Sequence, residues 1–288
     1  MVTAEQVREL RERTGAGLMD CKKALGQTNS DIEKAIDYLR KEGILKAAKK
    51  SARTTKEGLI MESHSPDGQV AALVEVNCET DFVARTDDFK NFCSVLVEQI
   101  LRGQPSDLET LKKEKLGHNT VETVLNELVT RIGENLSISR FEVFKAKGDS
   151  PKDREKVGVY VHPGNKIGVL VQMEGDPSKL TGSLVKDLAM HVAAMHPLYL
   201  SGEEVPADVA AREKANLKES PDLASKPANM IEKIVLGKYT KFLSEVCLLD
   251  QVFIRDLTGK GTVRETIAKV DPSLRIVRFA RYQVGENK

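Results

Sequence analysis

The chain has 288 residues, enough to bury a sizeable core and to form two or more lobes. Its 44 lysines and arginines nearly balance its 43 aspartates and glutamates, and the net charge of +1 excludes a strong overall attraction to nucleic acid or to membranes. No apolar run approaches a membrane span, the charged first residues predict no signal peptide, and the four cysteines form no CxxC motif, so we expect reduced thiols in a cytoplasmic protein.

The start of the chain has the spacing of short helices. Thr3 with Gln6, and Ser30 with Glu33, match the capping box, in which a hydroxyl accepts a hydrogen bond from a backbone N–H and the later side chain reaches back. Each pair therefore predicts a helix start. Gly43 is placed to end the second helix through a left-handed turn, which glycine adopts without steric cost.

The segment TGAGLMDCKKAL, residues 14–25, separates the first helix from the next. Glycines that open into a helix can cradle a phosphate, but no strand precedes this segment and its spacing is not that of a P-loop, so we predict a turn between helices. Leu18 and Met19 are large apolar residues in this turn. They belong either to the core of a small lobe or to an exposed, adaptable contact, and the pattern leaves both open.

A basic segment follows, in which only Glu42 opposes the positive charges. We interpret it as a solvated helix face that runs into a linker. RNA contact is the alternative, and it ranks lower because no aromatic residues alternate with the basic ones. The basic residues are Arg40, Lys41, Lys46, Lys49, Lys50, Arg53 and Lys56.

Two later segments resemble each other. GLIMESHSPDGQVAALVEVNCETD begins at Gly58, GVYVHPGNKIGVLVQMEGD begins at Gly158, and each combines a β-rich run, a turn with proline and glycine, and a longer apolar strand. An amphipathic helical pattern follows in both cases. We predict an α+β fold with two related lobes, each a small sheet covered on one face by helices, and a cleft or platform between the lobes where a partner binds.

A polar helical segment interrupts the second lobe. Pro221 and Pro227 mark the turn between two helices, which predicts a protruding helical hairpin. Residues 245–254 are then predicted to form a strand, residues 262–270 a short helix and residues 274–284 a last strand. The predicted organisation is an N-terminal helical module (1–53), a core N-subdomain (54–140), the first part of a core C-subdomain (141–200), a helical-hairpin insertion (201–235) and the second part of the core C-subdomain (236–288).

Motifs of catalytic and metal sites are missing from the sequence. It contains no HExxH, no GxSxG and no GxGxxG, and the spacing of His191 and His196 does not place both on one helical face. We therefore predict that the protein is not an enzyme and that it uses no metal or cofactor.

The stretch VNCETDFVAR, residues 76–85, places an acid beside an aromatic residue directly after a strand-like run. Thr80 or Asp81 could simply cap the next helix, and Phe82 could belong to the core. The functional alternative is a rigid wedge, in which the acid competes for a partner's polar contacts and the aromatic ring fills a partner's apolar pocket. Composition does not decide between these interpretations.

Five motifs in order resemble the bacterial elongation factor Ts family, and the match covers nearly the whole chain: LRERTGAGLMDCKKAL, VNCETDFVAR, RIGENLSISR, YVHPGNKIGVLV and KPANMIEKIVLGK. The resemblance implies guanine nucleotide exchange on elongation factor Tu, whose GDP-bound and nucleotide-free forms would both be partners. It also implies a ubiquitin-associated-like three-helix module at the start of the chain and a coiled coil for the hairpin, a candidate contact for a homodimer. We expect neither membrane nor direct nucleic-acid binding; an RNA- or ribosome-associated binding protein is the alternative.

The resemblance also implies which residues bind the partner. Asp81 and Phe82 would intrude beside the magnesium and nucleotide site of elongation factor Tu, and His162 would pack near its phosphate-binding side. Leu18 and Met19 would dock on a partner helix. The full set implied is Leu18, Met19, Thr80, Asp81, Phe82, Val83, Ile132, Gly133 and His162.

Overall fold

The structure is a computed structural model that describes residues 2–147, 154–223 and 226–286. Its first half contains α1 (Ala4–Thr14), α2 (Leu18–Gln27), α3 (Ile32–Lys50), β1 (Glu57–His64), β2 (Val70–Cys78), α4 (Asp81–Ala84), α5 (Asp87–Gly103), α6 (Leu108–Lys113), β3 (Lys115–Leu116), β4 (Asn119–Thr120), α7 (Val121–Ile132) and β5 (Leu136–Lys145). Its second half contains β6 (Arg154–Val161), β7 (Ile167–Gly175), α8 (Gly182–Met195), α9 (Ala207–Lys218), α10 (Ala228–Val246), α11 (Val263–Val270) and β8 (Arg275–Gln283). The predicted mixture of helices and sheets is confirmed.

The first of the two predicted capping boxes is present and the second is wrong. Thr3 accepts a hydrogen bond from the backbone N–H of Gln6 at 3.3 Å, and the Gln6 side chain accepts from the N–H of Thr3 at 3.1 Å. Ser30 has a left-handed backbone with φ of 66°, so it cannot serve as the extended N-cap residue. Asp31 caps α3 instead, and its carboxylate accepts from the N–H of Lys34 at 3.0 Å.

The prediction that Gly43 ends a helix is also wrong. Helix α3 continues to Lys50, and Gly43 is buried in its interior. A Cβ atom at this position would lie 3.1 Å from the Thr130 hydroxyl of α7, so the missing side chain lets the two helices pack closely. Gly43 therefore lies at the close contact between the N-terminal helices and α7.

Both predicted hairpins are present, β1 with β2 and β6 with β7. Each belongs to a three-stranded antiparallel sheet, with the orders β1-β2-β5 and β6-β7-β8. The register shifts at corresponding places, between Glu75 and Val76 in β2 and between Gln172 and Met173 in β7. The similarity of the two sequence segments thus extends to the geometry of the two central strands.

Successive side chains of β2 alternate between two cores, as the pleat of a strand requires. One set packs with residues of α5 and α7, and it consists of Ala72, Val74, Val76 and Cys78. The other set, Ala71 and Leu73, forms a single cluster with residues of the second sheet, including Leu170 and Tyr282. The sheets therefore pack against each other with helices outside them, and the space predicted as a cleft is filled by core.

Charged side chains join the two sheets in a repeated arrangement. Arg140 of β5 donates to Glu75 at 2.7 Å, and its guanidinium lies 4.1 Å from the ring centre of Tyr282 on β8. Arg278 of β8 lies in turn 3.9 Å from the ring centre of Phe144 on β5. Each sheet thus contributes a cation that stacks on an aromatic ring of the other.

The hairpin helices are α9 and α10, and α10 extends to Val246, well beyond the predicted boundary at 235. The strand predicted at 245–254 is wrong: the segment contains the end of α10, a short 3-10 turn over Leu248–Asp250 and irregular backbone. Leu248 and Phe253 are nevertheless buried, because the apolar residues of this segment, without alternating, fill a further core that β7 and α8 also line. The short helix α11 and the last strand β8 match their predictions. No helix in the described ranges is long and apolar enough to cross a membrane.

His191 of α8 should make the stability of the fold dependent on pH. It is fully buried, and burial lowers the pKa of its imidazole below the ordinary value of 6.5. The unfolded chain thus takes up this proton at a higher pH than the folded chain does. The stabilisation is fully present above the unfolded value near 6.5 and is lost as the pH falls below it.

Urea unfolding between about pH 7.5 and pH 5 measures this effect as a falling free energy of unfolding. The variant His191→Gln cannot take up the proton, so its pH profile should be flatter over the same interval. An identical slope in both proteins would assign the pH dependence to other groups.

Candidate partner-binding site

The short helix α4 holds an exposed aromatic ring close to the core. Thr80 is its N-cap and accepts a hydrogen bond from the N–H of Val83 at 3.5 Å, which confirms the predicted cap. Ala84 is buried, whereas 77% of Phe82 is exposed to solvent. The interpretation of Phe82 as a core residue is therefore wrong, and its ring projects from a helix that only two residues separate from a buried strand.

Asp81 lies beside Phe82 on the same helix. Its carboxylate pairs with the guanidinium of Arg85 at 2.7 Å; the Arg85 side chain is exposed and that of Asp81 is about half exposed. A surface pair of this kind contributes little to stability. Asp81 is thus free to exchange Arg85 for a polar group of a partner at small cost.

Glu134 holds the backbone at the start of α4, and sequence reasoning missed it. Its carboxylate accepts hydrogen bonds from the N–H groups of Glu79 and Thr80, at 3.1 and 3.0 Å, and from the Thr80 hydroxyl at 2.7 Å. Glu79 reciprocates by accepting from the N–H of Asn135 at 2.6 Å, a contact that lowers the pKa of the Glu79 carboxyl. These bonds fix α4 to the loop after α7, and the glutamate in the motif RIGEN was the available signal.

The predicted pair Ile132 and Gly133 therefore lies beside the predicted wedge. Ile132 is the last residue of α7 and packs partly into the first core. Gly133 caps the helix with a left-handed backbone, and its carbonyl accepts from the ammonium group of Lys50 at 2.5 Å. The loop is thus held from the α3 side as well.

Leu18 and Met19 are the first two residues of α2, and they are exposed by 55% and 71%. The interpretation of these residues as core is wrong. The next residue, Asp20, pairs with Lys46 of α3 at 3.0 Å in a partly exposed pair that contributes little, but Cys21 after it is fully buried in the N-terminal core. The two apolar side chains therefore project from a braced helix end.

His162 lies in the turn between β6 and β7 and is exposed. Its Nδ1 atom is 3.0 Å from the Tyr160 hydroxyl, and its carbonyl accepts from the N–H of Asn165 at 2.9 Å. A groove of about 920 Å³ runs beside it and is also lined by Ile254 and Leu257, two exposed apolar residues. We call residues 252–257 the Ile254 loop; sequence reasoning missed it because its first three residues were predicted to belong to a strand.

The four cysteines are buried and unpaired, as expected for reduced thiols. Cys78 donates to the carbonyl of Thr80 at 3.1 Å, and burial raises the pKa of its thiol to about 12. A buried thiol of this kind is a poor nucleophile. Within residues 2–147, 154–223 and 226–286, no three histidine, cysteine or acidic side chains are grouped as a metal site.

Comparison with known proteins places the sequence in a family. A family model described as Elongation factor TS matches residues 79–286, well over half of the chain. The chain belongs to the elongation factor Ts family. It is therefore a protein of translation elongation, and the resemblance seen in its motifs is confirmed.

Two elongation factor Ts proteins illustrate the similarity. The protein named Elongation factor Ts of Trichlorobacter lovleyi is 40% identical over an alignment of 295 positions, which covers 99% of this chain and 93% of the relative. That of Halothermothrix orenii is 40% identical over 288 residues with the same coverage of both chains. The similarity to elongation factor Ts thus includes the N-terminal helices with Leu18 and Met19, which precede the part matched by the family model.

Proposed function

We propose that the protein is a guanine nucleotide exchange factor that promotes GDP release from elongation factor Tu. The observation that carries the proposal is the exposed ring of Phe82, next to Asp81, on a helix whose start is fixed by three hydrogen bonds to Glu134. A rigid aromatic anchor loses little conformational freedom when it enters a partner's pocket. Asp81 and Phe82 would intrude beside the magnesium and nucleotide site and disturb the groups that hold the metal.

The thermodynamic task is a coupling between two ligands of one partner. A factor that binds nucleotide-free elongation factor Tu more tightly than the GDP-bound form must weaken GDP binding by the same factor. To change a nanomolar affinity for GDP into a micromolar one requires about 4 kcal/mol. No bond of a substrate is made or broken, so the task requires contacts rather than a catalytic group.

Several contacts would share this coupling. Leu18 and Met19 would dock on a helix of elongation factor Tu, and Ile132 with Gly133 would touch its nucleotide domain near the wedge. His162 would pack close to the phosphate-binding side, and the Ile254 loop adds apolar surface beside it. Thr80, the N-cap of α4, and Val83, which lies in the single turn of that helix, complete the wedge.

The finer organisation is part of the same proposal. Helices α1 to α3 would form a ubiquitin-associated-like module (1–53), followed by two related subdomains of which the second carries the hairpin. Met230 and Leu236 of α10 are exposed apolar residues, which supports a homodimer through the hairpin. We place the protein in the cytoplasm, with elongation factor Tu in its GDP-bound and nucleotide-free forms as partner.

The basic segment offers less to RNA than its sequence suggests. Four of its seven cations already have partners within the chain: Arg40 with Glu127, Lys46 with Asp20, Lys50 with the Gly133 carbonyl, and Arg53 with Glu79. An RNA- or ribosome-associated role would nevertheless give an affinity that falls steeply as salt is raised. Such a salt dependence, without any effect on elongation factor Tu, would favour this alternative.

Release of fluorescent GDP from elongation factor Tu at fixed magnesium tests the proposal. We expect the release rate to rise with the concentration of the protein and then to saturate, because a complex must form first. A release rate that stays the same over the whole concentration range would refute nucleotide exchange on this partner.

A further inference from the structure

A pair of buried polar side chains joins three segments of the second half of the chain. His191 of α8 and Gln251 are both fully buried, and the Nε2 atom of His191 lies 3.0 Å from the Oε1 atom of Gln251. The Gln251 amide group donates to the carbonyls of Met195, at the end of α8, and Glu245, near the end of α10, at 3.3 and 2.8 Å. The N–H of Ile254 donates to Nδ1 of His191 at 3.2 Å.

These bonds define the state of the imidazole ring. Because the N–H of Ile254 is a donor, Nδ1 of His191 accepts, and the ring proton lies on Nε2, where it is donated to Gln251. The amide of Gln251 then uses its oxygen for His191 and its nitrogen for the two carbonyls. Each side chain is thus satisfied in only one orientation, and α8, the base of the hairpin and the Ile254 loop are fixed together.

The Ile254 loop is held by this arrangement together with bonds to the segment that follows it: the Phe253 N–H donates to the Gly261 carbonyl at 2.9 Å, and the Asp256 carboxylate accepts from the N–H groups of Lys260 and Gly261. Phe253 is buried, with its ring centre 5.6 Å from that of His191, whereas Ile254 and Leu257 on the same loop are exposed. The bond from the Ile254 N–H to His191 therefore holds the residue at which the chain turns from the core to the surface. Arg255 also pairs with Asp187 of α8 at 3.0 Å, but this pair lies partly in solvent and contributes less.

We infer that His191 and Gln251 are positioning residues that present the Ile254 loop, beside His162, as a docking surface for elongation factor Tu. The inference rests on the proposed exchange function and deepens it, because it names the internal contacts that shape part of the surface. The two residues also connect the hairpin to that surface, since Gln251 binds the end of α10 and His191 binds the loop.

Two variants of one residue separate this role from general stability. In His191→Asn, the side-chain oxygen lies as many bonds from Cβ as Nδ1 does, so it can still accept from the N–H of Ile254. In His191→Gln, the side-chain nitrogen corresponds to Nε2 and can still donate to Gln251, but the bond to Ile254 is lost. Both variants remove the ring, so they share the packing defect and differ in which hydrogen bond they retain.

We expect His191→Gln to raise the concentration of factor that gives half-maximal GDP release by roughly tenfold relative to His191→Asn. The maximal release rate at saturation should be similar in both, because the wedge is untouched. Amide hydrogen exchange at Ile254 should be faster in His191→Gln than in His191→Asn or the parent. A purely structural role would destabilise both variants alike and give them equal half-maximal concentrations.

The parent protein, measured in the same assay, keeps the two hypotheses apart. If the parent fails to accelerate GDP release, the proposed function fails and the inference fails with it. If the parent accelerates release but the two variants have equal half-maximal concentrations, only the inference is overturned. Should His191→Gln not fold, the double variant Ile254→Ala/Leu257→Ala provides the test, and an unchanged half-maximal concentration there refutes the docking role of the loop.

Discussion

Replacement of Phe82 by alanine is expected to lower the efficiency of GDP release from elongation factor Tu by at least about 30-fold, the effect of losing an aromatic anchor that contributes 2 kcal/mol or more. The free energy of unfolding should stay within about 0.5 kcal/mol of the parent value. The reason for this contrast is that 77% of Phe82 is exposed in the free chain, so its ring contributes little to the core. Fluorescent GDP release and urea unfolding measure the two quantities.

A matched control for this variant is Val95→Ala. Val95 is an exposed apolar residue of α5, 45% accessible, and lies outside the predicted contact set. It should leave both GDP release and unfolding unchanged. If Phe82→Ala retained full exchange efficiency, the wedge would lose its role, and the coupling would have to come from His162, the Ile254 loop and the start of α2.

Local sequence signals predicted the elements that depend on neighbouring residues. The capping box at Thr3, the cap at Thr80 and the two hairpins are formed within a few residues of the chain, and the structure has each of them. The repeated pattern of the two hairpins also predicted two sheets of the same construction. The nearly continuous apolar run of β2 is typical of a strand buried on both faces, but only the structure shows that the second sheet covers the face opposite the helices.

Contacts between distant segments explain the failures. Gly43 resembles a helix end locally, but it lies where α7 approaches, and its neighbour Thr130 is far away in sequence. Residues 245–254 have the apolar character of a strand, yet Gln251 is bound by His191 and the Ile254 loop turns outward. In both places a tertiary contact determines the backbone conformation, and the local hydrophobic periodicity does not indicate that contact.

The candidate site shows the same division. Phe82 could be selected from the sequence because an aromatic residue beside an acid is unusual at the end of a buried strand. Its orientation could not, because it depends on Glu134, which follows Thr80 by 54 residues. The resemblance to the family supplied Ile132 and Gly133 of the motif RIGEN as partner contacts, and the structure adds that this loop is hydrogen-bonded to the start of the wedge.

Replacement of Glu134 by alanine is the second substitution with a large expected effect. It leaves the N–H groups of Glu79 and Thr80 without their carboxylate, in a site that is only partly exposed. Hydrogen bonds to a charged group contribute about 1.5–3 kcal/mol, so we expect the free energy of unfolding to fall by about 2 kcal/mol. Exchange efficiency should fall by about tenfold, because a wedge that is not held must be ordered when it binds.

Glu134→Gln separates the charge of this side chain from its shape. The glutamine oxygen can accept from the same two N–H groups, and its amide nitrogen can donate to the Thr80 hydroxyl, which takes over the role of acceptor. We therefore expect a loss of exchange efficiency of less than about threefold, with Phe82 still presented on an ordered α4. Hydrogen exchange at the amides of Glu79 and Thr80 should be slow in the parent and in Glu134→Gln, and fast in Glu134→Ala. Equal exchange efficiency in all three proteins would mean that elongation factor Tu, rather than Glu134, orders the wedge.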